Sequence, residues 1–409
     1  MKEKIKVIDS PMGAGKTSYL IQMIKRNTEN KYMFITPFLD EVDRIITTCK
    51  ENKFSQPTNK AKNGSKLESL KKLVSKGKNV VSTHALFSIA DEELIKLIKS
   101  QGYILILDEV MDVVSSADIK KSDIEMLFNE NKIKVEEPYN KVIWLDEKYD
   151  GKFNNIKNMA NNDSLYYVNK TLMVWSLPVS IFDCFEEVFI STYMFDAQIQ
   201  KYYYDYFEME YEYYHIERNI NDYKIVKTIS FDYDNEFKKK AKSLINIIDN
   251  EKLNAIGDSY GTGKYKTALS KTWYYKNKDN DLIKTLKKNM TNFFRNYCED
   301  KSELNMWTTF NDYKQLLKGK GYTKGFIPCN SRATNQYSHK KNCAYVINRY
   351  INPFYESFFT QRGITIDQDK YALSEMLQWI WRSAIRNNEP INVYIPSVRM
   401  RNLLVTFLS

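Results

Sequence analysis

Three histidines and five cysteines are all that the 409 residues offer as nitrogen or sulfur metal ligands of the usual kind. His84, His215 and His339 lie far apart, and Cys49, Cys184, Cys298, Cys329 and Cys343 contain no C-x-x-C pair. Neither a disulfide framework nor a zinc site is suggested, and reduced thiols in a cytoplasm fit best. Long apolar runs are missing too. The longest, such as YILIL at 103–107, fall far short of a membrane span, and MKEKIKVID leads into a glycine loop without an apolar signal region. No short-period repeat is present. The expectation is a soluble cytoplasmic protein with no membrane partner.

What is present is an ordinary globular composition, 43% hydrophobic, with 61 Lys plus Arg against 51 Asp plus Glu and a formal charge of +10. That length allows about two domains. The surplus charge favours polyanionic partners if it is clustered, and is only a solvated surface if it is scattered.

DSPMGAGKTS, Asp9 to Ser18, carries the end of the phosphate-loop pattern G-x-x-x-x-G-K-[ST] as Gly15, Lys16 and Thr17, with Ser10 in place of the first glycine. IKVID before it reads as a strand and SYLIQMIKR after it as a helix, which is the context such a loop needs. Gly13 and Gly15 let backbone amides approach phosphates, Lys16 supplies charge, and the Thr17 hydroxyl can ligate magnesium. A small Ser10 can still end the strand and start the turn. Further strand-like runs, YMFIT, NVVST, YILILD and EVFIST, are separated by helical or lysine-rich stretches, which argues for a parallel sheet covered on both faces. YILILDEV places an acid pair after a buried strand: Asp108 to hold a metal, Glu109 to polarise a water.

The chain reads as α/β, with residues 1–218 as an ATP-binding domain carrying an insert at about 112–186, and 219–409 as a second domain with a long basic helical region at 238–300. FEMEYEY (207–213) alternates like a half-buried strand, and YKIVKTISFDYD restarts the strand signals of the second half. MWTTF, GFIPC, CAYVINRY and INVYIPS supply four strand-like runs there. GDSYGTGKYK at 257–266 imitates a phosphate loop, but its glycine spacing is wrong and Tyr265 stands where a hydroxyl should be. Lysines flank Trp273, Tyr274 and Tyr275, a pattern suited to a nucleic-acid single strand if the rings are exposed and equally to a packed helix if they are not. In LSEMLQWIWRSAIRNN, helical spacing would put Gln378, Arg382 and Arg386 on one face.

In their order these motifs resemble the superfamily 2 nucleic-acid helicases. SPMGAGKT looks like motif I, ITPFLDEVDRI like Ia, VVSTHALF like Ib, ILDEV like II, ISTYMF like III and QWIWRSAIR like VI, while FIPCNSRATNQY and YVINRYINPF resemble small bacteriophage-type helicases. The resemblance implies two tandem RecA-like domains with parallel sheets and ATP with Mg2+ as cofactors. It implies a DNA partner, single-stranded or forked, and replication or recombination proteins of a mobile genome as further partners. Nucleotide contacts would come from Ser10, Met12, Gly13, Ala14, Gly15, Lys16, Thr17 and Ser18, and the metal from Thr17 and Asp108. Glu109 would be joined in catalysis by Arg382 on the γ-phosphate, by Arg386 either sharing that role or bonding a carboxylate across the cleft, and by Gln378 positioning the water or sensing the phosphate. Nucleic acid would meet Thr36, Pro37, Thr83, His84, Trp273, Arg332 and Asn335. The chain departs from the pattern at DEVM, at Tyr193 in motif III and at the late second arginine of motif VI, and no glutamine motif that would read adenine precedes residue 9. Two rivals remain: a packaging-terminase ATPase, whose nuclease needs clustered carboxylates that 300–409 do not display, and a non-motor DNA-binding protein on a helicase scaffold.

Overall fold

The computed structural model describes residues 5–59, 65–220, 222–228, 234–258, 267–330 and 336–409. Two compact units emerge: Met1–Ser10, Ala14–Ile229 and Asn352–Ile366 form one, and Pro11–Gly13, Ser230–Ile351 and Asp367–Ser409 the other.

The first unit is built on a seven-stranded sheet. Its strands lie in the order Tyr223–Lys227, Glu212–Arg218, Ile5–Asp9, Glu187–Thr192, Tyr103–Asp108, Lys31–Thr36 and Val80–Thr83. All neighbours pair in parallel except Tyr223–Lys227, which runs antiparallel to Glu212–Arg218 at the edge. The central strands are continuous apolar runs because helices cover both faces and leave no side for water. Ile8, Phe34, Ile106 and Phe189 pack against Leu20, Ile21 and Ile24 of the helix Lys16–Arg26, so the helix after the glycine loop is anchored directly on the sheet.

Between Tyr103–Asp108 and Glu187–Thr192 the chain forms a five-stranded antiparallel sheet, ordered Val114–Ser116, Leu172–Ser176, Leu165–Val168, Lys141–Trp144 and Ile133–Glu136. The helices Lys121–Asn129 and Asn154–Asn161 close a core around Ile124, Trp144, Ile156 and Leu165. The asparagine-rich stretch 149–163 thus contains a helix whose apolar face, Ile156 and Ala160, is buried. The helix Pro353–Thr360 also belongs to the first unit, although it lies late in the chain. Phe358 stacks on Tyr206 with ring centroids 4.5 Å apart, and Phe359 meets Tyr202 at 6.1 Å.

In the second unit a four-stranded parallel sheet runs Ile245–Ile247, Ile391–Tyr394, Asn342–Tyr345 and Asn305–Thr308. Helices Asp281–Asn292, Gln368–Ile380 and Val398–Leu408 are among those that accompany it. Several local readings are corrected. GFIPC contributes only a bridge between Phe326 and Trp307, while the fourth strand, Ile245–Ile247, comes from the stretch read as helical. FEMEYEY leaves the helix Ile199–Tyr206 by a turn, and the strand begins only at Glu212. YKIVK, expected to open the second domain, is the antiparallel edge of the first sheet, because Tyr223–Lys227 folds straight back on Glu212–Arg218. The five cysteines are all free thiols, and no helix of the described residues is long and apolar enough to cross a membrane.

Candidate nucleotide-binding site

Parallel sheets gather chemistry at the carboxyl ends of their strands. Here Asp9 is in register with Thr192, Ser191 with Asp108, and Thr36 with Thr83, so the ends of five adjacent strands share one edge. The glycine loop leaves that edge from Asp9. Gly13 (φ 83°) and Gly15 (φ 97°) hold left-handed backbone that other residues rarely adopt. Gly15 then caps the N-terminus of Lys16–Arg26, where unpaired amides and the helix dipole favour an anion.

Ser10 explains why the missing first glycine matters little. Its N–H donates to the Thr192 carbonyl at 3.0 Å, and its Oγ accepts from the Ile216 N–H at 2.8 Å, tying the loop to strands on both sides. Lys16 Nζ donates to the Ser10 carbonyl at 2.6 Å, folded across the loop. Thr17 Oγ1 donates to Asp108 Oδ1 at 3.2 Å, bringing together two oxygens from residues 91 positions apart. A hydroxyl and a carboxylate are hard donors suited to Mg2+, which keeps water and substrate phosphates in its shell. Among the described residues no group of three or more His, Cys, Asp or Glu side chains could hold a metal. Burial pushes the Asp108 carboxyl up to about 7, helped by Glu109 and Glu41 and opposed by Thr17 and Lys16. A cation beside it would favour the charged form.

Glu109 sits at φ 83°, an uncommon conformation for a side-chain-bearing residue, with its N–H donating to the Ser191 carbonyl at 2.9 Å. Such strain concentrates where a side chain must be aimed. Sequence reasoning missed Asp9, whose two oxygens accept from the Met194 and Phe195 N–H groups at 2.9 and 2.8 Å. Burial raises its carboxyl to about 6, against the pull of those two hydrogen bonds and Lys16. The available signal was an acid closing a buried strand just before the loop. It also missed Tyr223, whose ring lies against Gly15.

The remaining expected site residues are dispersed. Thr36 is fully buried and so closed to nucleic acid, whereas Pro37, Thr83 and His84 are partly exposed on the same sheet edge. Trp273 is 8% exposed within the second unit's core, edge-on to Tyr274, which corrects its reading as a base-stacking platform; the exposed ring of that helix is Tyr275 at 67%. The helix carrying Gln378 ends at Ile380, so Gln378, Arg382 and Arg386 do not share a helical face. Arg382 is 6% exposed in the turn that follows, and Arg386 stands in a separate short 3-10 turn, Ala384–Asn387. Arg332 and Asn335, and most of the 257–266 imitation loop, lie outside the described residues. On the second unit one face of the helix Asp281–Asn292 and of the turn Phe293–Tyr297 that continues it carries Lys284, Lys287, Lys288 and Arg295 beside Thr291, Asn292 and Asn296, with Lys284 paired to Asp281 at 2.8 Å.

Fold and site together define an α/β protein with parallel sheets in both units and an antiparallel module inserted in the first. The chain belongs to the YonV family. It is 45% identical over 417 residues to the SPbeta prophage-derived uncharacterized protein YonV of Bacillus subtilis (strain 168), covering 99% of each chain. Residues 239–408 match the YonV C-terminal Rossmann-like domain, and residues 114–175 the YonV middle domain. Among solved structures the chain resembles an XPD helicase (12% identity, TM-score 0.42, covering 98% of this chain and 95% of that one). S. tokodaii Xpd4 is similar at 11% identity and TM-score 0.43, with 99% and 94% covered.

Proposed function

We propose that the protein is a magnesium-dependent ATPase of the superfamily 2 helicase type that acts on DNA in the service of a mobile genome. The observation that carries this reading is the 3.2 Å contact of Thr17 with Asp108 beneath a glycine loop at a helix N-terminus. Loop amides bind the phosphates, and Lys16 leaves the Ser10 carbonyl to meet their charge. Thr17 and Asp108 would hold Mg2+, which when bound would supply positive charge against the phosphates. Glu109 orients and deprotonates the attacking water. The clustering of Lys287, Lys288 and Arg295 on one helix face supports a polyanionic partner over a scattered surface charge. The prophage origin of the Bacillus relative supports the mobile-genome setting.

The test is a pair of substitutions. Lys16→Ala should abolish hydrolysis, while Glu109→Gln should keep Mg-ATP bound and slow its cleavage by roughly 10²- to 10⁴-fold. Parental turnover in either variant would remove the nucleotide-site assignment.

A further inference from the structure

An aromatic ring lies on the glycine loop. A Cβ placed on Gly15 would come 2.2 Å from Cε1 of Tyr223, so the ring covers that glycine's α-carbon. The helix that the loop opens holds the backbone of Tyr223 beside it. Gln22 Oε1 accepts from the Tyr223 N–H at 3.3 Å, and Arg26 pairs with Asp222, one residue earlier, at 2.9 Å. Tyr223 stays partly exposed, and the Arg218 guanidinium lies 5.7 Å from its ring centroid. Strand order supplies direction. Asp108 lies two strands to one side of Ile5–Asp9, and Tyr223 lies two strands to the other. A nucleotide laid on the loop with its terminal phosphate towards Thr17 and Asp108 therefore extends its base end towards Tyr223.

We propose that Tyr223 is the platform on which the base of a bound nucleoside triphosphate stacks, with Arg218 beside the same ring. The proposal rests on the phosphate-loop reading of residues 10–18. It assigns base binding to the antiparallel edge strand of the first sheet. Stacking engages the π-face common to every base, and an arginine plane adds a cation–π contribution.

Calorimetric titration of the full chain with Mg-ATP and, separately, with Mg-tripolyphosphate distinguishes base from phosphate binding. Tyr223→Ala should weaken ATP about 5- to 150-fold and leave tripolyphosphate unchanged, whereas Tyr223→Phe should bind both like the parent. Equal weakening of both ligands would show that the ring only braces Gly15, and unchanged ATP affinity would show that no base rests there; either overturns the platform alone. Failure of the parent to bind either ligand would remove the phosphate-loop reading and this proposal with it.

Discussion

At the residue scale, the carboxyl edge of the first sheet holds groups that the rest of the fold would not tolerate by preference. Asp9 is the clearest: 2% exposed and raised to about 6, it binds a proton in the folded chain between pH 4 and 6 that the unfolded chain has released. Stability from this group therefore falls as pH rises through that window, by up to about 3 kcal/mol. Melting curves of the parent and Asp9→Asn should show the parent losing ground to the variant between pH 4 and 6.5; a constant difference would place the Asp9 titration elsewhere. Glu109 makes the opposite kind of prediction. Its φ of 83° suits glycine, so Glu109→Gly should raise stability by about 1 kcal/mol while abolishing turnover, a separation that thermal melting and a phosphate-release assay read directly. The sequence displayed Glu109 as the second acid after a buried strand, but no local pattern could disclose its backbone strain, which depends on where Ser191 holds its N–H.

At the element scale, what sequence could reveal followed the range of the interactions involved. IKVID, YMFIT, VVST, YILILD and EVFIST were legible because a strand buried on both faces must be apolar throughout, whatever its neighbours. Tyr223–Lys227 was misplaced because edge pairing across a short reversal leaves the same pattern as the start of a new domain. The helix Pro353–Thr360 was unreadable for a different reason: its burial on Tyr202 and Tyr206 depends on chain 150 residues away. The arginines after Ile380 were aligned on a helix that stops there. Trp273 shows how aromatic-basic interleaving misleads. Ser270 caps its short helix by accepting from the Trp273 N–H at 3.2 Å, and the indole turns into the core. Trp273→Ala should cost about 3 to 5 kcal/mol of stability by denaturant titration. Retained stability with weakened single-strand binding would restore the platform reading for that residue.

At the scale of the whole molecule, a net charge of +10 has a physical meaning only where it clusters. If the helix face of Lys284, Lys287, Lys288 and Arg295 meets a nucleic-acid backbone, affinity for DNA should fall about 10³-fold between 50 and 200 mM salt for ~6 phosphate contacts. Replacing Lys287 and Lys288 by Glu should flatten that salt dependence without moving the melting temperature; an unchanged slope would locate the phosphate contacts elsewhere. The central claim is that the loop above Asp108 hydrolyses ATP and that DNA governs the rate. Its most direct test is steady-state phosphate release by the parent and Lys16→Ala, each with Mg-ATP, with and without saturating single-stranded DNA. The account predicts parental turnover that rises with DNA and none in the variant under either condition. Turnover that survives Lys16→Ala, or parental turnover indifferent to DNA, would contradict it.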